Sequence, residues 1–172
     1  MLRLLLLRHA HSDSVPGIAD LQRPLTERGR SEAERVAQYL VSGQLRPDLA
    51  IVSSATRTQE TWGYIDRAFD SRVEKITEKR IYEASYKDIV HVIRHIETGS
   101  RTALVVGHNP GLLLTARHFY KEGNSAALSQ LQLGFPPASL IVMSFPFNDW
   151  QEVAEGTGTL ERFETPATIE HN

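Results

Sequence analysis

Four side chains in this sequence have the chemistry to hold and transfer an anion: Arg8, His9, Arg57 and His108. They are spread along the chain, yet each comes soon after a short apolar run. Arg8-His9-Ala10-His11-Ser12 follows Leu4-Leu5-Leu6-Leu7. Ser53-Ser54-Ala55-Thr56-Arg57-Thr58-Gln59-Glu60-Thr61 follows Leu49-Ala50-Ile51-Val52, and Gly107-His108-Asn109-Pro110-Gly111 follows Leu104-Val105-Val106. Two guanidiniums offer planar forks of donors to a tetrahedral dianion, while imidazoles can donate, accept or attack. Histidine's reference pKa of about 6.5 leaves a neutral nitrogen available near pH 7. Carrying a phosphoryl group on imidazole would split its transfer into two easier steps, with positive charge on the equatorial oxygens supplying most of the rest.

The elements that must position these groups can be read from periodicity. Leu4 to Leu7 is a continuous apolar run of four residues, suited to a strand over Leu2–Leu7 buried on both faces. Thr26 is placed as an N-cap, and Ala33, Val36, Ala37 and Leu40 recur at helical spacing, predicting a helix over 27–41. Further helices are predicted over 56–69 and 87–98, with Pro110 opening another that continues to Tyr120. Strands are predicted at 49–52, 102–106 and 139–145, with shorter ones at 72–76 and, along an edge, 150–154. Residues 123–137 are a candidate loop beside the site. Residues 1–155 then form a single catalytic domain, and the Thr-rich stretch 156–172 a polar surface tail. Strands alternating with helices predict an α/β fold, a mostly parallel sheet covered on both faces. Ligands in such sheets bind beyond the carboxyl ends of the strands, which is where the two arginines and two histidines fall.

The Arg8-His9-Ala10, Ser53-to-Thr61 and Val105-Val106-Gly107-His108-Asn109-Pro110 segments resemble the three signature segments of the histidine phosphatase, or phosphoglycerate mutase-like, superfamily. Arg23-Pro24-Leu25-Thr26-Glu27-Arg28-Gly29 and the short chain resemble its SixA-type phosphohistidine phosphatases. The resemblance implies a three-layer α/β/α sandwich and a phosphohistidine intermediate on His9, with Arg8, Arg57 and His108 holding the phosphoryl oxygens. Ala10 stands where the family often has glycine, as it does in SixA-like members. Ile81-Tyr82-Glu83-Ala84 resembles the segment that supplies the acid for the leaving group, pointing to Glu83.

The expected activity is therefore a metal-independent and cofactor-independent phosphatase, acting on a phosphorylated substrate such as phosphohistidine in a protein. Only one helix separates Glu83 from the 102–106 strand, leaving little chain for a lid and favouring a protruding substrate. A small-molecule phosphomonoesterase, a mutase of the same superfamily and a non-catalytic module binding phosphorylated ligands are the alternatives. Other histidines have plainer readings. His91 and His95 stand at i,i+4 on a solvated face without the glutamate of a His-Glu-x-x-His site. His118 is a favourable charge late in its helix. His11, Ser12 and Asn109 border the site and either bind phosphate or cap backbone groups. The Gly107–Gly111 stretch lacks the lysine of a Walker loop.

Composition narrows the classes further. A net charge of -2 gives no basic excess for a nucleic acid or an anionic membrane. Without cysteine, thiol nucleophiles and thiolate metal sites are excluded. The N-terminal leucine run is too short for a signal peptide or a membrane span, so the chain is expected in the cytoplasm. With 172 residues, 41% of them hydrophobic, it can fill one core unaided.

Overall fold

The computed structural model describes residues 1–169. Its first half alternates strand and helix: β1 (Leu2–Arg8), α1 (Glu27–Ser42), β2 (Leu49–Ser53), α2 (Thr56–Ala68), β3 (Glu74–Glu78), α3 (Tyr86–Arg94) and β4 (Thr102–Gly107). Its second half comprises α4 (Gly111–Phe119), β5 (Tyr120–Gly123), α5 (Ser125–Leu133), β6 (Leu140–Phe145), β7 (Gly158–Glu164) and α6 (Pro166–Ile169). The strands make one sheet in the order β3-β2-β4-β1-β6-β7-β5. Pairing is parallel except around β6, which runs antiparallel to both β1 and β7.

Central strands of this kind bury both faces, which is why the middle of β1 reads as four consecutive leucines, Leu4 to Leu7. Leu4 and Leu6 point into one core with α3, α4 and α5, together with Ile93, Phe119 and Phe145. Leu5 and Leu7 point into the other, with α1 and α2, against Val36, Leu40 and Ile65. The result is a three-layer α/β/α sandwich. None of its described helices is long and apolar enough to cross a membrane.

Several segments depart from the sequence expectation. The short strand expected at 72–76 lies two residues later, at Glu74–Glu78, and α3 ends at Arg94, four residues early. The expected edge strand at 150–154 is instead a single 3-10 turn, Trp150–Glu152, anchored by the buried Trp150 indole donating to the Ser100 carbonyl at 2.7 Å. The stretch 123–137 contains α5 rather than a loop throughout. The larger correction concerns the tail. Within 156–172, β7 pairs with β6 and β5 and buries Leu160 and Phe163, while α6 buries Ile169. The buried set of β7 is only Gly158, Leu160 and Phe163, and a register shift breaks their alternation, so the polar residues between them pass for tail. Residues 170–172 lie outside the described residues.

Where the chain turns from β1 toward α1, a glycine allows two backbones to meet. A Cβ on Gly29, in the first turn of α1, would collide with the His11 carbonyl oxygen, the same oxygen that accepts from the Thr26 N–H. Alanine ordinarily gains roughly 0.5–1 kcal/mol over glycine inside a helix. Gly29→Ala is expected to reverse that sign, lowering the urea midpoint and displacing the loop after His9. A variant as stable as the parent would show that the contact relaxes freely.

Candidate active site

The carboxyl ends of β1, β2 and β4 lie side by side because β4 pairs with both other strands. This adjacency brings together Arg8, His9, Arg57 and His108. His9 continues β1 beyond its last paired residue. Its N–H donates to the Gly107 carbonyl at 3.0 Å, and its own carbonyl accepts from Ala138 N–H at 3.0 Å. The side chain is 7% exposed, and Nδ1 lies 2.7 Å from the Ala10 carbonyl. A carbonyl can only accept, so Nδ1 carries the hydrogen and Nε2 keeps the lone pair.

Arg57 sits in the first turn of α2, 5% exposed. A cation opposes the helix dipole there, and the surroundings compensate it. Its Nη1 donates to the Asp20 carbonyl at 2.7 Å and its Nη2 to Asp20 Oδ2 at 3.2 Å. Nη2 also approaches His108 Nδ1 at 3.4 Å. Guanidinium nitrogens only donate, so that His108 nitrogen accepts, and Nε2–H donates to Ser53 Oγ at 2.7 Å. The His9 and His108 ring centroids are 5.4 Å apart. Arg8 completes the group, with Nη1 donating to the Phe135 carbonyl at 2.9 Å. Both arginines keep a buried Nε without a hydrogen-bond partner among the described residues.

Burial, aided by the neighbouring cations, dominates the electrostatics. The His9 pKa is pushed down to about 3, first by loss of water and then by His108, Arg57 and Arg8, against the raising effect of the Ala10 bond. His108 falls to about 4, again chiefly through burial and then Arg57. Both rings are therefore neutral at pH 7. Groups depressed in the folded state stabilise it above their unfolded pKa of about 6.5, and that stability is lost as pH falls toward 4 and then 3. Between pH 6 and 5 the unfolding free energy is expected to drop by as much as about 1.4 kcal/mol per pH unit for each of these histidines. Urea unfolding across that range checks this, and a profile that His9→Asn leaves unchanged would contradict the depressed value.

Two further residues belong to the cluster and had no signal in the sequence spacing. Asp20 receives Arg57, the Arg23 Nε at 3.0 Å and the Tyr82 hydroxyl. The Tyr82 bond is the main cause holding the Asp20 carboxyl down at about 2 and pushing the phenol up to about 12. The Tyr82 ring also meets His108, at 5.6 Å between centroids. Asp20 opens a single 3-10 turn, Asp20–Gln22, 37 positions before Arg57. Only its proximity to the Arg23-Pro24 segment hinted at it.

The remaining sequence candidates fall into place around this centre. Glu83 is exposed at φ 51, next to Tyr82 at the mouth of the site. His11 bonds Thr26 Oγ1 and Ser12 donates to the Pro24 carbonyl, so both fasten the loop after β1. Asn109 is exposed beside His108. His91 and His95 stack on each other at 4.1 Å on the outer face of α3, remote from this cluster in the fold, and His118 packs on Tyr86 at 5.2 Å.

A sheet end carrying two neutral imidazoles, the buried Arg57 and the half-buried Arg8 has the donors and the lone pair that anion chemistry needs. The chain matches the model of the histidine phosphatase superfamily (branch 1) over residues 4–92, and it belongs to that family. It is accordingly a hydrolase of the histidine phosphatase kind. An uncharacterised Mycobacterium tuberculosis protein is 29% identical over 162 residues, 93% of this chain and 99% of that one. Among solved structures, the Agrobacterium tumefaciens protein designated phosphohistidine phosphatase SixA superposes with a TM-score of 0.80 at 29% identity, covering 96% of this chain and 98% of that one. A mycobacterial glucosyl-3-phosphoglycerate phosphatase shares the fold at 19% identity, with a TM-score of 0.62 over 92% of this chain and 96% of its own.

Proposed function

We propose that this chain is a cytoplasmic phosphohistidine phosphatase that passes the phosphoryl group through His9, with residues 1–169 acting as one catalytic domain. The observation that carries the reading is the His9 ring itself: neutral, with Nδ1–H committed to Ala10 and the Nε2 lone pair free, among Arg8, Arg57 and His108. In the first step Nε2 attacks phosphorus while the bond from phosphorus to the leaving nitrogen breaks. The ring gains positive charge as it takes the phosphoryl, and the Nδ1–H bond to the Ala10 carbonyl strengthens with that charge. The free Nε donors of Arg8 and Arg57 supply partners for equatorial oxygens. His108 completes the cradle.

Glu83 is assigned to protonate the departing group and then to accept a proton from the water that attacks phospho-His9. Asp20 is poorly suited to that task, because its carboxylate is already engaged by Arg57, Arg23 and Tyr82, whereas Glu83 is exposed. Water attack releases inorganic phosphate and restores the Nε2 lone pair. A phosphohistidine substrate is supported by the open mouth. Between Glu83 and β4 the chain forms only α3, which packs its Ile89, Val92 and Ile93 into the core, so this stretch supplies no second element as a lid. The test is a brief reaction with substrate carrying a labelled phosphoryl, quenched in alkali, where phosphohistidine survives. Label on a peptide containing His9 supports the reading, and turnover without label overturns it.

A further inference from the structure

A groove of about 460 Å³ opens beside the phosphoryl site, between the segment after α5 and the end of β7. It begins at Arg8 and Asn109, which border the two histidines, and Phe135, Pro136 and Phe163 give it apolar walls. The Arg8 bond to the Phe135 carbonyl ties one wall to the phosphoryl cradle. A second recess of about 280 Å³ runs on along α5 and β7 and shares Gln130 and Phe163 with the first. The two together form an elongated furrow leading away from His9. Leu133, the last residue of α5, stands at its lip 82% exposed. Apart from Arg8, the phosphoryl chemistry of His9 uses none of this surface.

We propose that this furrow seats the polypeptide flanking the phosphohistidine of a protein substrate. The inference rests on the function proposed above and adds to it the surface that selects protein over metabolite. Charge is the first argument. Among the described residues, Arg8 is the one charged side chain along the nearer recess, and in the farther one Arg162 lies between Glu161 and Glu164, so a second phosphate, a sugar carboxylate or a nucleotide would find no net positive seat beyond Arg8. Main chain and neutral side chains suit it better, with Gln130, Asn109 and Thr165 able to pair with peptide groups. Shape is the second. A compact substrate would leave the continuation along β7 empty, whereas an extended or helical segment fills it. Leu133 is the third, because an apolar side chain left in water at the rim of a groove gains most when a partner covers it.

Leu133→Glu tests this, since an exposed helix-end position tolerates the change. Two substrates are compared: free phosphohistidine, and a peptide with phosphohistidine at its centre. The expected result is a rise of about tenfold or more in KM for the peptide, the loss of one covered apolar contact plus an unpaired charge, with free phosphohistidine turned over as before. Equal kinetics on the peptide overturn the furrow, and so does an equal loss on both substrates. Labelling of His9 by free phosphohistidine reads the catalytic function separately. Its presence with unaltered peptide kinetics removes the furrow alone, and its absence in the parent protein removes both.

Discussion

His9→Ala is expected to abolish turnover, lowering kcat about ten-thousandfold or more, as deletion of an attacking nucleophile does elsewhere. The loss falls on kcat because the groups proposed to bind the phosphoryl survive the change. Arg57 remains fixed by Asp20, Arg8 by the Phe135 carbonyl and His108 by Ser53. Substrate binding should therefore persist, and a phosphorylated peptide incubated with the variant should stay intact. The alkali-stable label found on His9 in the parent should vanish. Folding should not suffer near neutral pH, and below pH 6.5 the variant should lose less stability than the parent, since it lacks one buried imidazole that resists protonation. Turnover within tenfold of the parent's would mean that water attacks phosphorus directly, and the histidine would then only position it.

Arg57→Lys is expected to cost about a hundred- to a thousandfold in kcat/KM, although it keeps the charge. Lysine presents one ammonium where Arg57 presents three nitrogens in a plane. Two of those are bound to Asp20, and the third, Nε, is buried and unpaired among the described residues. An ammonium can serve Asp20 or a phosphoryl oxygen but cannot reproduce both at fixed angles. The free donor that faces no protein acceptor is then lost, and with it charge placed for the transition state. The helix dipole adds to the penalty, because a mobile cation in the first turn of α2 is repelled from the seat where the guanidinium is held. Steady-state kinetics with inorganic phosphate or vanadate as competitive inhibitors check the point. Inhibition constants should rise together with the loss in kcat/KM. Unchanged inhibition by either anion would place Arg57 outside the phosphoryl cradle and leave it a structural partner of Asp20.

Much of the fold was legible because its signals are local. β1 is a run of leucines that no amphipathic surface element would carry, and Thr26 caps α1 through the Gly29 N–H as its side chain predicts. The central helices carried clear 3.6-residue stripes. The C-terminal strand was missed for the opposite reason. In Gly158–Glu164 the inward set is Gly158, Leu160 and Phe163, interrupted by a register shift opposite Val142 and Met143, so no clean alternation survives. The turn at Trp150 was misread as strand because an aromatic beside Val153 has strand propensity, while its indole bond to Ser100 decides otherwise.

The candidate site divides in the same way. Residue type and placement after strands singled out Arg8, His9, Arg57 and His108, since parallel strands deliver the residues at their carboxyl ends to one edge of the sheet. That much depends on short-range pattern and a general rule of topology. The sequence alone could not show that His9 is neutral with its lone pair on Nε2, a state imposed by burial and a carbonyl held 2.7 Å from Nδ1. Nor could it show that Asp20 and Tyr82 close over Arg57, 37 and 25 positions from it, or that His108 leans on Ser53. Hydrogen bonds between groups so distant in the chain have no spacing to betray them. The strand pairing of β1, β2 and β4 sets which loops meet, and the low-dielectric interior it creates sets their charge states. Identity of the chemical groups was thus written in the sequence, whereas their protonation, their orientation and the partners that restrain them were decided by the tertiary structure.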